Sequence, residues 1–412
     1  MTQAAGSGPP GASAHDAGWL RPVQLCLVTA VRRPDARVWP HPTASVWRSS
    51  EEDQQRRREA LEVLLAPTSC VTTDGPVLAV YRITTADHTQ TGLLADVKVA
   101  AFEAGRVKGH EHTRYEKEEA LLAELDDVEA LVGPVALGHR PEPQLGTLLE
   151  GLSNGPRTAS WTSADEALHE MWVVEGTELE ELATRSAALD PLYIIDGHHR
   201  IAAAARRVAG RRAATADSPD GDDPWAAFLA AVFPADQLAV RATHRIVDVA
   251  AAGTPDALLG RLEALGTLTS VDGPEDARPR RDKQFGVGFA GRWYRLHGLD
   301  VRPPAGRPCH DVQLLDDLVL GPVLGIDDAR TDGRIDFFPD LGDLRPVAER
   351  CRDASEIAFL VRPVAVDEVF AIADAGAVLP PKSTWFDPKP IKGVVMPAQR
   401  LPERACGPAT PP

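Results

Sequence analysis

The chain has 412 residues, with 60 acidic and 44 basic side chains and a formal net charge of -16. This length suggests two or three domains, and a hydrophobic content of 43% is ordinary for a globular protein with a substantial core. The acidic balance argues against broad nucleic-acid binding, which needs a basic face. No run approaches the roughly 20 apolar residues that span a bilayer. Composition therefore excludes a general nucleic-acid binder and a membrane-spanning protein.

The two ends of the chain have the composition of tails. Residues 1–18 are small, polar and rich in Pro and Gly, without the basic start or apolar core of a signal peptide, so we predict a disordered tail. Residues 400–412 are predicted to form a second loose tail. The five cysteines are scattered without a C-x-x-C pair, which suggests neither a disulfide framework nor a zinc ribbon and fits the cytoplasm.

Strand and helix patterns are mixed throughout the chain. Strands are predicted at 23–31, 77–83, 93–102, 132–137, 171–174, 192–196, 225–234, 334–338 and 357–361, with a hairpin at 285–296. Helices are predicted at 51–65, 115–125, 175–189, 198–208, 313–324 and 366–375, and a surface loop at 211–224. This mixture predicts an α/β or α+β fold. We expect a core domain with an N-terminal extension at 19–249 and a C-terminal α+β region at 250–399.

The most informative stretch runs from Leu192 to Val208. It indicates a buried strand ending at Asp196, a sharp turn at Gly197, and a helix that opens on His198, His199 and Arg200. A helix N-terminus already presents unpaired N–H groups and a positive dipole end, so added cations suit a bound anion, most plausibly phosphate. The alternative is a solvated helix start.

A second cluster, His110-Glu111-His112-Thr113-Arg114, also lies between a predicted strand and a predicted helix. Nearby cations would keep Glu111 ionised, which makes it a candidate general base. The alternative is an ordinary first helical turn, in which Glu111 complements the helix dipole.

The histidines raise the possibility of a metal centre. His110 and His112 would share a face if extended, whereas His198 and His199 diverge on a helix, so a dedicated transition-metal site is the less favoured reading. We instead expect Mg²⁺ held mainly by nucleotide phosphates, with one carboxylate helping.

Two further clusters are candidates for substrate binding. The segment 382–389 is a Pro-bracketed turn that combines two lysines, Lys382 and Lys389, with two hydroxyls and an aromatic pair, which suits a carboxylate or a phosphate. The hydroxyls are those of Ser383 and Thr384. His244 and Arg245 would add positive charge to the same pocket. The alternatives are a structural turn and pairing with surface acids.

The order of these motifs resembles the bacterial DUF1015 family, over residues 77–396. The matching parts are 108–114, 171–174, 194–200, 243–245 and 381–389. That family in turn resembles the ParB/sulfiredoxin-like nucleotide-binding superfamily, whose mark is a Gly-x-x-Arg turn opening a helix, here Gly197 to Arg200.

The resemblance extends to the free L-serine kinases of this superfamily and implies roles for individual residues. Glu111 would be the catalytic base, and His198 would join Asp196 in catalysis. The phosphates and Mg²⁺ would be held by Asp196, Gly197, His198, His199 and Arg200, with His110 also at the cofactor. The sulfiredoxin cysteine corresponds to His198 here, which argues against sulfinic-acid repair.

We therefore expect a kinase that passes a phosphoryl group from ATP or ADP to L-serine or a similar hydroxy amino acid. We expect neither nucleic-acid nor membrane partners. One alternative is a ParB-like nucleotide-binding switch without transfer chemistry, and a minor one is a metal hydrolase that uses the histidines.

Overall fold

The computed structural model describes residues 18–28, 51–66, 69–128, 133–214, 223–251, 253–299, 310–401 and 407–408. By internal contacts the chain divides into two compact units. The first comprises the chain up to Lys108, Thr113–Leu238 and the chain from Pro388 onward; the second comprises Gly109–His112 and Ala239–Asp387. The predicted tail at 1–18 lies outside the described residues except for Gly18. In the one at 400–412, residues 402–406 and 409–412 lie outside them.

The elements of the first unit, up to its break at residue 238, are β1 (Leu20–Arg21), β2 (Leu25–Val28), α1 (Glu51–Leu64), β3 (Cys70–Thr72), β4 (Leu78–Thr84), β5 (Thr89–Lys98), α2 (Val99–Glu103), β6 (Val107–Lys108), α3 (Tyr115–Val128), β7 (Val135–His139), α4 (Pro143–Leu152), β8 (Ala159–Thr162), β9 (Leu168–Val174), α5 (Gly176–Ser186), β10 (Leu192–Asp196), α6 (His198–Ala214) and β11 (Ala227–Pro234).

The second unit contains β12 (Val240–Arg241), β13 (Thr243–Asp248), α7 (Pro255–Glu263), β14 (Thr267–Val271), α8 (Pro274–Ala277), β15 (Phe285–Phe289), β16 (Arg292–His297), α9 (Asp311–Leu315), a π-helical segment (Asp316–Leu320), β17 (Ile335–Pro339), α10 (Arg345–Arg350), β18 (Glu356–Leu360), α11 (Val366–Asp374) and β19 (Trp385–Phe386). The chain then returns to the first unit with β20 (Val395–Pro397) and β21 (Gly407–Pro408).

A mixed sheet organises the first unit. Its strand order is β6-β10-β7-β11-β5-β4-β9-β8, and β1 pairs with β5. Strand β7 runs antiparallel to β10 and parallel to β11. Alternate residues such as Val80, Leu93 and Ile194 share one core cluster with Ile201 and Val208 of α6. One face of the sheet therefore packs against helices, and the ends of β7 and β10 position the turn into α6.

The opposite face of this sheet contacts the returning C-terminal chain. Asp96 lies between Ala95 and Val97, which belong to the helix-covered core, so its side chain faces the other way. There it pairs with Arg400, and both side chains are buried. Burial raises the pKa of Asp96, and the charges of Arg400 and Arg21 oppose that shift. Arg400, which opens the predicted C-terminal tail, is thus part of the first unit's interior.

The second unit is built on a six-stranded antiparallel sheet with the order β14-β16-β15-β18-β13-β17. Its core contains Ile246, Trp293, Val347 and Leu360, contributed by two central strands, the β15–β16 hairpin and α10. The strands β12 and β19 pair with each other, and this pairing fixes the positions of Trp385 and Phe386.

The mixed α/β class is confirmed, but three predicted elements differ in extent. The strand predicted over 93–102 ends at Lys98, and α2 takes Val99–Glu103 because that segment packs against α6. Helix α6 continues to Ala214, into the loop predicted over 211–224, of which residues 215–222 lie outside the described residues. The helix predicted at 313–324 begins at Asp311 and becomes π-helical from Asp316. Among the described helices, none is long and apolar enough to cross a membrane.

The expectation of no disulfide is wrong for two of the cysteines. Cys26 and Cys70 are both disulfide-bonded. The antiparallel register of β2 and β3 sets Cys26 opposite Thr72 and Val28 opposite Cys70, so the two cysteines lie diagonally across neighbouring strands. Their separation of more than 40 residues in the chain concealed this proximity.

The pair formed by Asp96 and Arg400 gives a stability prediction. In Arg400→Met, Asp96 keeps a buried charge without its main partner, so we expect the free energy of unfolding to fall by about 3–5 kcal/mol. Urea unfolding measures it. Arg21→Met is the control, because Arg21 is more exposed and stands 3.7 Å from Asp96, so its loss should cost less than about 1 kcal/mol. Equal losses in the free energy of unfolding in the two variants would show that Arg400 is not the main partner of Asp196.

Candidate functional site

The turn between β10 and α6 requires glycine at position 197. Gly197 has φ +101, in the region that side chains rarely adopt, and a Cβ there would stand 2.8 Å from Cγ1 of Val135. The strand therefore ends at Asp196 and the helix begins at His198 with no intervening loop. This geometry brings the first turn of α6 directly to the end of the sheet.

Asp196 is held by two cations. Its Oδ2 accepts from the Arg200 guanidinium at 2.8 Å, and its Oδ1 lies 3.0 Å from the Lys389 ammonium. Burial raises the pKa of Asp196, but the positive charges of Arg200 and Lys389 outweigh it and hold the pKa below its usual range. Arg200 also donates to the carbonyl oxygen of Pro134 at 2.9 Å. Asp196 is therefore an ionised carboxylate that fixes two cationic side chains.

A third cation, Lys392, completes the cluster. Its side chain is half-buried, and burial together with the charge of Arg200 lowers its pKa to about 8, against the attraction of Asp196. Within the described part of the chain its ammonium makes no hydrogen bond or ion pair. Three cations thus surround Asp196 at the N-terminus of a 17-residue helix, and Glu124 acts on Lys392 as a weaker, second negative charge. This excess of positive charge suits an anion.

The two histidines that open α6 differ in their surroundings. His198 is buried. His199 is half-buried, and its Nε2 accepts from the backbone N–H of Arg114 at 3.0 Å. Because Nε2 is an acceptor there, His199 is neutral with its proton on Nδ1. The bond ties the segment just before α3 to the first turn of α6.

The second unit contains His110 and Glu111. His110 is buried, its Nε2 lies 2.9 Å from Oγ1 of Thr384, and its ring packs near that of Phe386. The backbone of Leu379 donates to the carbonyl oxygen of His110. Glu111 is half-buried and, among the described residues, its carboxylate has no hydrogen-bond or ion-pair partner. Glu111 is therefore an available proton acceptor.

The predicted substrate-binding turn lies in the same unit as His110. Lys382 is exposed and has φ +55, while Ser383 is buried and donates to the carbonyl oxygen of Pro380 at 2.7 Å. The structure thus brings Thr384 together with His110, and it leaves Lys382 as the exposed charge of this turn.

His244 and Arg245 are buried inside the second unit. The Nδ1 of His244 accepts from the backbone of Val361, and its Nε2 stands 3.4 Å from Oδ2 of Asp340. Burial lowers the pKa of His244, and Asp340 opposes that shift. The Arg245 guanidinium donates to the carbonyl of Thr243 and reaches the carbonyl of Pro381 at 3.5 Å. Arg245 therefore supports the main chain beside Lys382.

Sequence reasoning placed Lys389 in the candidate turn at 382–389 but not beside Asp196, and it did not assign Lys392. Both lie in the segment Pro388–Lys392, called the lysine segment below. Lys392 follows the 381–389 motif by three residues, in the run Pro-Lys-Pro-Ile-Lys. No local rule places this segment beside Asp196, almost 200 residues earlier.

The described residues contain no group of three or more His, Cys, Asp or Glu side chains that could hold a metal ion. In particular, His199 is engaged by Arg114 and His110 by Thr384. The hydrolase alternative thus finds no ready set of protein ligands among the described residues.

The family described as "Protein of unknown function (DUF1015)" matches residues 41–317. Because this match spans more than half of the chain, the protein belongs to the DUF1015 family. Among curated proteins, none matches the chain.

Several solved structures show a distant likeness to the chain. A conserved hypothetical protein from Pyrococcus furiosus is 13% identical with a TM-score of 0.36, covering 73% of this chain and 94% of that one. A mutant free serine kinase in complex with ADP is 14% identical with a TM-score of 0.37, covering 75% and 93%. SbnI with a C-terminal truncation, from Staphylococcus aureus, is 11% identical with a TM-score of 0.37, covering 71% and 82%.

The low pKa of Lys392 gives a prediction about anion binding. Sulfate keeps its charge at neutral and basic pH, so any change in its affinity reports on the protein. As the pH rises through about 8, Lys392 loses its charge, and sulfate affinity should fall by up to about tenfold per pH unit. Lys392→Met should bind weakly and independently of pH over that range, as measured by calorimetry.

Lys283→Met, in the second unit, serves as the control and should keep the wild-type pH dependence. If Lys392→Met retains that dependence, Lys392 is not the group that titrates.

Proposed function

We propose that this protein is a small-molecule phosphotransferase that binds a nucleotide at the N-terminus of α6 and phosphorylates the hydroxyl of L-serine or a similar hydroxy amino acid. The observation that supports this proposal best is the cluster of Arg200, Lys389 and Lys392 around the glycine turn, with Asp196 as the carboxylate that pairs with the first two. Phosphoryl transfer depends on positioning and charge neutralisation more than on covalent chemistry. In this proposal, the cluster supplies the positioning and the charge neutralisation for the phosphates of ATP or ADP.

In this proposal the three cations neutralise the donor phosphates. Arg200 is fixed at one end by Asp196 and by the Pro134 carbonyl, so its guanidinium is already oriented. The backbone N–H groups at the first turn of α6, at His198 and His199, add the positive end of the helix dipole. Charge that develops on the phosphate oxygens during transfer is then stabilised by preoriented groups.

Glu111 is the proposed base. Its carboxylate is half-buried and makes no bond within the described chain, so it can accept the proton of the acceptor hydroxyl. In the chain it lies three residues before Arg114, whose backbone binds His199 at the start of α6. We propose that His110, held by Thr384, positions the main chain next to Glu111.

The acceptor's carboxylate is assigned to the turn at Lys382, Ser383 and Thr384. Lys382 supplies the exposed ammonium, whereas Ser383 is engaged by the Pro380 carbonyl and shapes the turn. We propose that His244 and Arg245 support this turn from the interior of the second unit, since both are buried and the Arg245 guanidinium reaches the carbonyl oxygen of Pro381. They are positioning residues in this scheme.

The arrangement of Asp196 does not fit a Mg²⁺ ligand. Both of its carboxylate oxygens are already engaged, one by Arg200 and one by Lys389. The neighbouring ammonium of Lys392 further opposes a divalent cation. We therefore propose that Asp196 orients the cations that hold the phosphates, and no step is assigned to a metal ligated by this side chain.

Incubating the protein with ATP or ADP, Mg²⁺ and a mixture of hydroxy amino acids tests the proposal. Mass spectrometry should detect an acceptor that gains one phosphoryl group. Nucleotide binding or slow hydrolysis without a phosphorylated acceptor would support the nucleotide-binding switch instead.

The role of Glu111 predicts a separation of binding from turnover. Glu111→Gln keeps the size of the side chain and removes the base, so turnover should fall by about 10²–10⁴-fold while nucleotide affinity stays within about twofold. Steady-state kinetics and calorimetry measure the two quantities. Glu116→Gln, an exposed acid in α3, is the matched control and should keep wild-type turnover. Normal turnover in Glu111→Gln would eliminate this assignment.

A further inference from the structure

The first unit contains a second concave site, on the helix-covered face of its sheet. A cavity of about 510 Å³ opens between α4 and the strands β4, β5 and β9. Arg82 and Thr91 line it and lie on the same face as Val80 and Leu93 of the core. Its volume is in the range of small-molecule sites.

This cavity is separate from the cation cluster. The register of β7 and β10 sets Ala136 opposite Asp196 and His139 opposite Leu192, so the cavity residue His139 lies toward the other end of these strands. His139 lies three positions after Ala136 along β7, which corresponds to roughly 10 Å. A ligand in the cavity therefore occupies a different edge of the sheet from an anion at Gly197.

His139 presents a hydrogen-bond acceptor to the cavity. Its side chain is 3% exposed, and its Nδ1 lies 2.7 Å from the carbonyl oxygen of Arg140. A carbonyl can only accept, so Nδ1 carries the proton, and burial lowers the pKa of the ring and keeps it neutral. Nε2 is then an acceptor, and among the described residues it has no hydrogen-bond partner. A ligand that fills this position must be a donor.

The charges around the cavity are mainly negative. Glu142, Glu150 and Glu170 line it, and Arg82 is the one cation among the lining residues. Two of the five N–H donors of Arg82 are engaged within the protein, since its Nε donates to Thr91 and one Nη donates to Ser153. The lining therefore combines excess negative charge with unused acceptors.

The carboxylates differ in availability. Glu142 caps α4 through one oxygen at the backbone of Leu145, and Glu170 pairs with Arg157 at 2.6 Å. Glu150 is exposed, and its carboxylate makes no hydrogen bond or ion pair within the described chain. A positively charged group would thus find Glu150 and the second oxygen of Glu142.

We propose that this cavity binds a hydroxylated primary ammonium compound of about the size of an amino sugar. The ammonium donates to Nε2 of His139 and to the carboxylates of Glu142 and Glu150. The ligand's hydroxyls bond to threonine side chains such as Thr84 and Thr89, which line the same wall. Carbon atoms of the ligand pack against an apolar floor formed by Leu145, Leu149, Leu168 and Pro234.

Two glycines of α4 provide a matched pair of variants. Gly146 lines the cavity, whereas Gly151 does not, and a Cβ at either position meets no atom within 4 Å. Both lie in the same helix, where replacing glycine removes a conformational cost of about 1 kcal/mol. Gly146→Leu should therefore fill the cavity in a folded protein, and Gly151→Leu reports the effect of the same substitution outside it.

Calorimetric titration with D-glucosamine, and with D-glucose as the uncharged analogue, tests the proposal. Glucosamine should bind the full chain at least about tenfold more tightly than glucose, since a charge-assisted hydrogen bond is lost in glucose. Gly146→Leu should weaken glucosamine binding by about tenfold or more, and Gly151→Leu should leave it within about twofold.

Glu150→Gln gives an independent reading, because this exposed substitution removes a charge without filling the cavity. It should weaken glucosamine binding and leave thermal unfolding unchanged. Equal affinities for glucosamine and glucose, no measurable glucosamine binding, or full binding in Gly146→Leu would each overturn the proposal.

Discussion

The double ion pair of Asp196 organises the cationic site. One oxygen holds Arg200, a turn further along α6, and the other holds Lys389, which arrives from the far end of the chain. Without this carboxylate, Arg200, Lys389 and Lys392 would repel one another at a partly buried position. Asp196 therefore makes a local excess of positive charge compatible with a folded chain.

The lysine segment is hydrogen-bonded to side chains on the sheet face opposite the helices. Gln90 donates to the carbonyl of Pro388 at 3.2 Å, and the Tyr81 hydroxyl accepts from the backbone of Ile391 at 3.2 Å. Tyr81 in turn donates to Nδ1 of His169, whose pKa is lowered to about 4 by burial and which is therefore a neutral acceptor. The positions of Lys389 and Lys392 thus depend on hydrogen bonds from β4 and β5 to the lysine segment, and on the bond between Tyr81 and His169 of β9.

Local patterns predicted the turn correctly because its determinants are adjacent in the chain. An apolar strand, a glycine that must adopt positive φ and a periodic helix all lie within Leu192–Val208. The same reasoning could not find Lys392 or the diagonal position of Cys26 and Cys70, which depend on long-range register. It also could not show that Arg245 is buried, since a charged residue in a strand reads alike whether it faces a ligand or supports a backbone carbonyl.

The net charge of the chain and the charge of the site have opposite signs, and distance decides which one an anion experiences. The chain as a whole is acidic at -16, but charges further apart than about 8 Å are largely screened at physiological ionic strength. At the N-terminus of α6, Arg200 and Lys389 lie within 3.0 Å of Asp196, and Lys392 interacts electrostatically with this cluster. Screening of the more distant acidic side chains therefore leaves the cluster attractive to an anion at contact.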